Sequence, residues 1–85
     1  MSDEDLIARS AEKNGESAQL DQLIEECAEL IVAVRHFKRG RITVDQLRDE
    51  MADALLMITG AEFFTGSING NLNAKLLIIK ARLDA

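Results

Sequence analysis

The chain has 85 residues, of which 47% are apolar, and a formal net charge of −5. A chain this short forms a single domain, here residues 1–85, and buries a modest core unless it self-associates, so we expect an oligomer. The negative charge argues against binding to duplex nucleic acid, and Cys27, as the only cysteine, excludes an intrachain disulfide. The sequence has neither the apolar core of a signal peptide nor an apolar run long enough to span a membrane. We therefore expect a cytoplasmic protein without a membrane partner.

The first half of the chain predicts two helices of unequal strength. A first helix over residues 2–14 has Ser2 as its N-cap, acids in its first turn, and Asn14-Gly15 at its end. The second helix begins at Ser17 and ends before Gly40, which follows a cluster of cations suited to a helix C-terminus. Its apolar residues recur at spacings of three and four: Leu20, Leu23, Ile24, Cys27, Leu30, Ile31, Val34 and Phe37.

The second half predicts two further helices. Thr43 and Gln46 have the spacing of a capping box, and the third helix runs from Val44 to about Phe64. Gly60 within it permits either a close helix approach or a bend. The stripe of this helix is Leu47, Met51, Ala54, Leu55, Ile58 and Ala61.

After a loop at residues 65–71, the last helix has Leu72, Lys75, Leu76, Ile79, Lys80 and Leu83 at helical spacing. No Pro interrupts these segments, and Leu, Ala, Ile and Glu favour helices over strands. We therefore expect an all-α fold with an antiparallel helical hairpin at the core of a three- or four-helix bundle, completed by oligomerisation.

Two groups of acids lie on the two strongest helices. The first is Glu25, Glu26 and Glu29, and the second is Glu50 and Asp53. Glu50 falls inside an apolar stripe, where a carboxylate is costly unless it is paired or bound to a metal. The pairs at i, i+3 spacing would offer about four oxygen ligands to Mg²⁺ or Mn²⁺ across the hairpin. Ordinary solvated helix positions are the alternative, and the chemistry alone leaves both open.

Other residues give weaker signals. His36 is the only histidine, so a ferritin-like di-iron site lacks nitrogen ligands, and this residue is interpreted as a capping or surface residue. Cys27 is interpreted as a core residue. The basic run at residues 35–41 is interpreted as a solvated helix end, with contact to phosphates as the alternative.

The order Glu25-Glu26-Cys27-Ala28-Glu29 followed by Glu50-Met51-Ala52-Asp53 resembles a family motif. It is similar to the E-E-x-x-E … E-x-x-D motif of the MazG-like nucleoside triphosphate pyrophosphohydrolases. The surrounding segments, QLDQLIEECAELIVAV and LRDEMADALLMI, look like the small phage and bacterial members of that all-α superfamily. The similarity is close over residues 19–58 and looser in the last helix.

The resemblance implies Mg²⁺-dependent hydrolysis of an NTP or dNTP to the nucleoside monophosphate and pyrophosphate, in a nucleotide-pool house-cleaning role, with Mn²⁺ as a possible substitute. It also implies a homodimer or homotetramer. The implied metal ligands are Glu26, Glu29, Glu50 and Asp53. The implied catalytic acids are Glu25 and Glu26. Candidate substrate contacts are Lys38, Arg39, Lys75 and Lys80 for phosphates and Phe37 for the base.

Two other functions remain open at this point. The chain can be a non-catalytic regulatory or assembly module that retains a vestigial metal and nucleotide site. It can also be a sensor that binds metal or nucleotide without turnover. Release of monophosphate from a triphosphate separates the enzyme from both.

Overall fold

The computed structural model describes residues 1–85 and contains four α-helices and no strand. The helices are α1 (Asp3–Asn14), α2 (Glu16–Lys38), α3 (Val44–Thr65) and α4 (Asn69–Asp84). The prediction of an all-α fold is therefore confirmed. None of the four helices combines the length and the apolar character needed to cross a membrane.

Local sequence signals set several helix ends. Ser2 Oγ accepts the backbone N–H of Asp5 at 3.0 Å, so Ser2 caps α1 as predicted. Thr43 and Gln46 form the predicted capping box at the start of α3, with hydrogen bonds of 3.1 and 2.8 Å. Gly40 has φ 70° and turns the chain after α2, a conformation that glycine adopts without steric strain.

Helices α2 and α3 pack against each other and run antiparallel, as the sequence predicts. Gln19 near the start of α2 contacts Met57 near the end of α3, and Glu26 lies beside Glu50. The residues that face the partner helix are less exposed than their neighbours and recur at spacings of three and four. We call them the interface residues: Gln19, Leu23, Glu26, Leu30 and Ala33 in α2, and Leu47, Glu50, Ala54, Met57, Ala61 and Phe64 in α3.

This line of contact coincides only in part with the apolar stripes predicted from the sequence: Leu23, Leu30, Leu47, Ala54 and Ala61 belong to both. The most buried apolar interface residues are Ala33, Ala54 and Ala61, whose small side chains let the two helices approach closely. Several large members of the predicted stripes, together with Phe37, stay exposed. We call six of these exposed residues the apolar face: Ile24, Ile31 and Val34 of α2, and Met51, Leu55 and Ile58 of α3.

Helix α1 packs against both helices of the hairpin, close to Gly60. Gln19 is only 3% exposed there; its Oε1 accepts Asn14 Nδ2 at 3.2 Å, and its Nε2 donates to Met57 Sδ at 3.6 Å. A methyl group at Gly60 would lie 2.5 Å from Gln19 Nε2 and 3.6 Å from Ala11 Cβ. Gly60 therefore permits a close helix approach, one of the two roles that the sequence left open.

Helix α4 packs against none of the other helices, and all of its residues are exposed. It begins at Asn69, so the loop predicted at residues 65–71 is shorter than expected. Two side chains support this early start. Glu62 Oε2 accepts the N–H of Ile68 at 3.0 Å, and Ser67 Oγ accepts the N–H of Asn69 at 3.1 Å.

Candidate metal centre and adjoining cleft

Three of the predicted acids meet between α2 and α3. One carboxylate oxygen from each of Glu26, Glu29 and Glu50 lies within 4.8 Å of the other two. Glu26 and Glu50 are half-buried interface residues, whereas Glu29 is exposed. We call these three residues the acidic cluster. Because they come from two antiparallel helices, the hairpin itself fixes their separation.

Two oxygens of the acidic cluster have no partner in the fold. Oε2 of Glu26 and Oε2 of Glu50 are both buried, and neither accepts a hydrogen bond. A buried carboxylate oxygen without a donor is costly, and like charges nearby increase that cost. No lysine or arginine donates a hydrogen bond to either oxygen. The chemistry of this donor set fits a hard divalent cation such as Mg²⁺, which binds carboxylate oxygens.

The same environment raises the pKa of Glu26 above its ordinary value. Burial is the largest cause, because it disfavours the charged carboxylate, and the charges of Glu29, Asp53 and Glu50 add to it. The charge of Asp53 therefore acts on Glu26, although Asp53 is not one of the three residues of the acidic cluster. A bound cation would reverse the electrostatic part of this effect.

Helix geometry places four acids of α2 and α3 on one side of the hairpin. The residue before an interface residue is rotated by about 100° around the helix, and in antiparallel helices these preceding residues fall on the same side. Glu25 and Glu29 of α2 and Asp49 and Asp53 of α3 hold such positions, and all four are exposed. We call this the acidic side. The apolar face follows the interface residues and lies on the opposite side.

A cleft of about 520 Å³ opens beside the acidic cluster, towards the α2–α3 loop. Its volume lies in the range of small-molecule sites. Its apolar lining consists of Ala28, Val32, Ala33 and Ile42. Its polar lining consists of Glu29, His36, Gln46, Asp49 and Glu50. Because Glu29 and Glu50 belong to both, a ligand in the cleft would lie next to the acidic cluster.

The predicted substrate contacts are not gathered at this cleft. Phe37, Lys38 and Arg39 follow His36 at the end of α2 but do not line the cleft, and all three are exposed. Lys75 and Lys80 lie on α4, which does not pack against the hairpin. Within one chain, the structure therefore brings no predicted phosphate contact to the acidic cluster.

Sequence reasoning did not assign His36, Gln46 or Asp49 to the site, although helical spacing carried a signal for His36 and Asp49. His36 lies two turns after Glu29, and Asp49 lies one turn before Asp53. Both therefore fall on the acidic side once the hairpin pairing is known. His36 was interpreted as a helix-end residue because its cationic neighbours favoured that role.

Comparison of the chain with protein-family models, with curated proteins and with solved structures found no match. The functional interpretation of the site therefore rests on its geometry and on the motif described above.

Proposed function

We propose that this protein is a cytoplasmic, Mg²⁺-dependent nucleoside triphosphate pyrophosphohydrolase. The observation that carries the proposal is the pair of buried carboxylate oxygens, Glu26 Oε2 and Glu50 Oε2, that lack a hydrogen-bond partner beside a cleft of ligand size. The arrangement supports a divalent metal site. The motif resemblance supplies the reaction, which converts an NTP or dNTP to its monophosphate and pyrophosphate.

The charge of the cleft supports a metal-bound substrate. Three of its lining residues are acids, Glu29, Asp49 and Glu50, while no lysine or arginine lines it. A free triphosphate would be repelled by these carboxylates. A bound Mg²⁺ would supply the opposite charge and polarise the phosphate under attack.

Each acid has a distinct part in the proposal. Glu26 and Glu50 would hold the metal from the buried interface, and Glu29 and Asp53 would complete the ligand set from the acidic side. Glu25 is exposed on that side, where it orients the attacking water and accepts its proton. Water then cleaves the anhydride between the α- and β-phosphates, and pyrophosphate leaves.

The apolar part of the cleft would contact the nucleoside. Val32 and Ile42 would offer an apolar surface to a base or sugar, while His36 and Gln46 would provide polar contacts at the rim. This assignment replaces Phe37 as the main base contact, because Phe37 does not line the cleft.

The test is hydrolysis by the purified protein. Each common ribo- and deoxyribonucleoside triphosphate is incubated with the protein and Mg²⁺, and monophosphate and pyrophosphate are quantified together. We expect equimolar release of both products, abolished by EDTA and lowered by roughly 100-fold or more by Glu50→Gln. The Glu50→Gln protein, purified identically, also controls for contaminating hydrolases.

Two results would reject the proposal. Release of orthophosphate in place of pyrophosphate would mean a different bond is cleaved. Binding of Mg²⁺ and nucleotide without release of any product would instead identify a sensor or a vestigial site.

A further inference from the structure

Asp49 is the one acid of the cleft that lies outside the acidic cluster. Glu29 and Glu50 line the cleft as members of that cluster, whereas Asp49 belongs neither to the cluster nor to the motif described above. It is exposed on the acidic side, one turn before Asp53. A carboxylate at this point would repel the phosphates of a bound nucleotide. Its favourable partner in a ligand is therefore a group that donates hydrogen bonds.

Gln46 lines the cleft one turn before Asp49, and the capping box of α3 fixes the orientation of its amide. Oε1 of Gln46 accepts the backbone N–H of Thr43 at 2.8 Å, while the backbone N–H of Gln46 donates to Thr43 Oγ1 at 3.1 Å. Only the oxygen of a carboxamide accepts from an N–H group, so this contact leaves Nε2 and its two hydrogens for a ligand. Gln46 therefore offers the cleft a hydrogen-bond donor whose position is held by the helix cap.

Together these two side chains present one donor beside two acceptors. Residues three apart lie on neighbouring turns of one helix face, with Cβ atoms about 5–6 Å from each other. Nε2 of Gln46 donates, and the two oxygens of Asp49 accept. Val32 and Ile42 line the same cleft with apolar surface, against which a planar base would pack. A base whose edge carries one acceptor followed by two donors would satisfy all three positions.

Guanine alone among the common bases has such an edge. Its O6 accepts, and its N1–H and 2-amino group donate, in one continuous row. Adenine and cytosine each offer one donor group, the exocyclic amine, beside a ring nitrogen that accepts. Uracil and thymine offer one N–H between two carbonyl groups. With any base other than guanine, one oxygen of Asp49 would therefore lack a donor or face a second acceptor, and either arrangement weakens binding.

We propose that the cleft selects guanine nucleotides, with Asp49 accepting N1–H and the 2-amino group of the base and Gln46 Nε2 donating to O6. This inference rests on the proposed function, because it places the nucleoside of the substrate in the cleft. It names GTP or dGTP as the preferred substrate and makes Asp49 and Gln46 the residues that determine base specificity. Neither residue belongs to the acidic cluster, so base selection and hydrolysis can be measured separately.

Separate measurements of binding and turnover distinguish a failure of base selection from a failure of hydrolysis. Calorimetry in Mg²⁺ compares α,β-methylene triphosphates of guanosine, inosine, adenosine, cytidine and uridine, which resist cleavage between the α- and β-phosphates. Guanosine should bind roughly 10-fold or more tightly than the others, including inosine, which lacks only the 2-amino group. The same order should appear in kcat/KM for the cleavable triphosphates. Guanosine-selective binding without turnover would reject hydrolysis alone, whereas equal binding of all bases, or binding of none, would overturn the specificity.

Asp49→Asn provides a change of specificity that unfolding cannot imitate. A carboxamide keeps one acceptor and gains one donor, which suits xanthine, because a carbonyl replaces the 2-amino group of guanine there. We expect the variant to lose its preference for guanosine and to bind the xanthosine analogue roughly 10-fold or more tightly than the wild type does.

Asp45→Asn is the matched control, because Asp45 is an exposed acid one turn before Asp49 and does not line the cleft. It should keep the preference of the wild type for guanosine. An Asp49→Asn protein that still prefers guanosine would refute the contact with the base. So would an equal loss of binding for every base together with loss of the stabilisation by Mg²⁺, since that result would identify Asp49 as a metal ligand.

Discussion

One side of the α2–α3 hairpin gathers carboxylates around a cleft, whereas the opposite side presents aliphatic residues to solvent. The two sets of residues lie two positions apart along each helix, because each is displaced from the interface residues by one position, in opposite directions. Glu29 and Ile31, which flank Leu30, illustrate the difference. A single pair of helices thus separates a polar cluster from an apolar surface without additional elements.

The two sides also differ in what they lack. The acidic cluster, next to the acidic side, contains two buried oxygens without hydrogen-bond donors, which a cation would neutralise under the proposed function. The apolar face contains exposed aliphatic surface, which burial against another apolar surface would remove from water. Substitutions that change one side while leaving the other intact can therefore test the two sides separately.

The largest expected effect comes from Glu50→Gln. Removing this charge should lower turnover by roughly 100-fold or more, because a bound metal stabilises the transition state by several kcal/mol. The same change should leave the metal-free melting temperature equal or higher, since it relieves repulsion within the acidic cluster. It should also abolish the stabilisation that Mg²⁺ gives to the wild type. Activity assays and thermal unfolding in EDTA and in Mg²⁺ measure the three effects.

Asp21→Asn is the matched control, because Asp21 is an exposed acid of α2 outside the acidic cluster. It should retain both activity and the Mg²⁺ effect. A strongly destabilised Glu50→Gln protein without metal would contradict the metal site, since it would mean that Glu50 serves a structural contact.

Local features of the fold were predictable from sequence. The caps at Ser2 and Thr43 depend on atoms only three residues away, so short-range spacing identified both. Glu50 was also recognised as an inward-facing acid, because its position relative to Leu47 and Ala54 follows from helical periodicity alone.

The line of contact in α2 was not predictable in the same way. Two adjacent rows have the same 3-4 spacing, and the row through Ile24 and Ile31 is the more apolar. The fold instead buries the row through Gln19, Glu26 and Ala33. The choice depends on the partner helix, whose alanines and Gly60 accommodate a close approach, and a single-helix pattern carries no information about the partner.

The cleft was missed for a related reason. His36 and Asp49 come from different helices and meet at one cleft only through the tertiary pairing of α2 with α3. The shorter α3–α4 loop likewise depends on Glu62, six residues before the backbone group that it binds. These features can be identified only from the three-dimensional arrangement of the helices.

Gly60→Ala tests the close packing of α1 against α2 and α3, and its expected effect on stability is the next largest. The new Cβ would meet Gln19 Nε2 at 2.5 Å, in a buried position where Gln19 already bonds to Asn14 and Met57. Overpacking of this kind costs about 1–3 kcal/mol. Chemical denaturation of the two proteins measures the difference.

Gly70→Ala provides the control, because Gly70 lies in a helix with open space around its Cα. There the change should stabilise the chain by roughly 0.5–1 kcal/mol. Equal effects at the two glycines would argue against the close approach of α1, α2 and α3 at Gly60.

His36→Ala tests the cleft with a smaller effect. The loss of a polar contact at the rim should raise KM by roughly 3- to 10-fold, or about 1 kcal/mol, with little change in kcat. Lys38→Ala is the comparison, since Lys38 lies two residues further along α2 and does not line the cleft. Steady-state kinetics with the best triphosphate measure both. A larger KM effect at Lys38 would favour the sequence-based assignment of the substrate contacts over the structural one.

The pH dependence of the metal-free protein gives the smallest and most specific test. The folded state raises the pKa of Glu26 above its ordinary value of 4.5, so folding favours the protonated form. Below pH 4.5 the carboxyl is largely neutral in both states and causes no loss of stability. As the pH rises from 4.5 through the raised folded-state pKa, ionisation destabilises the folded chain more than the unfolded chain. In EDTA, Glu26→Gln should therefore gain stability relative to the wild type as the pH rises, and the gap should close in acid. Melting curves from pH 4 to 8 measure this difference in stability. A difference that does not vary with pH would mean that burial and the neighbouring carboxylates do not destabilise the charged form of Glu26. The proposal of a cation at the acidic cluster would then lose its electrostatic support.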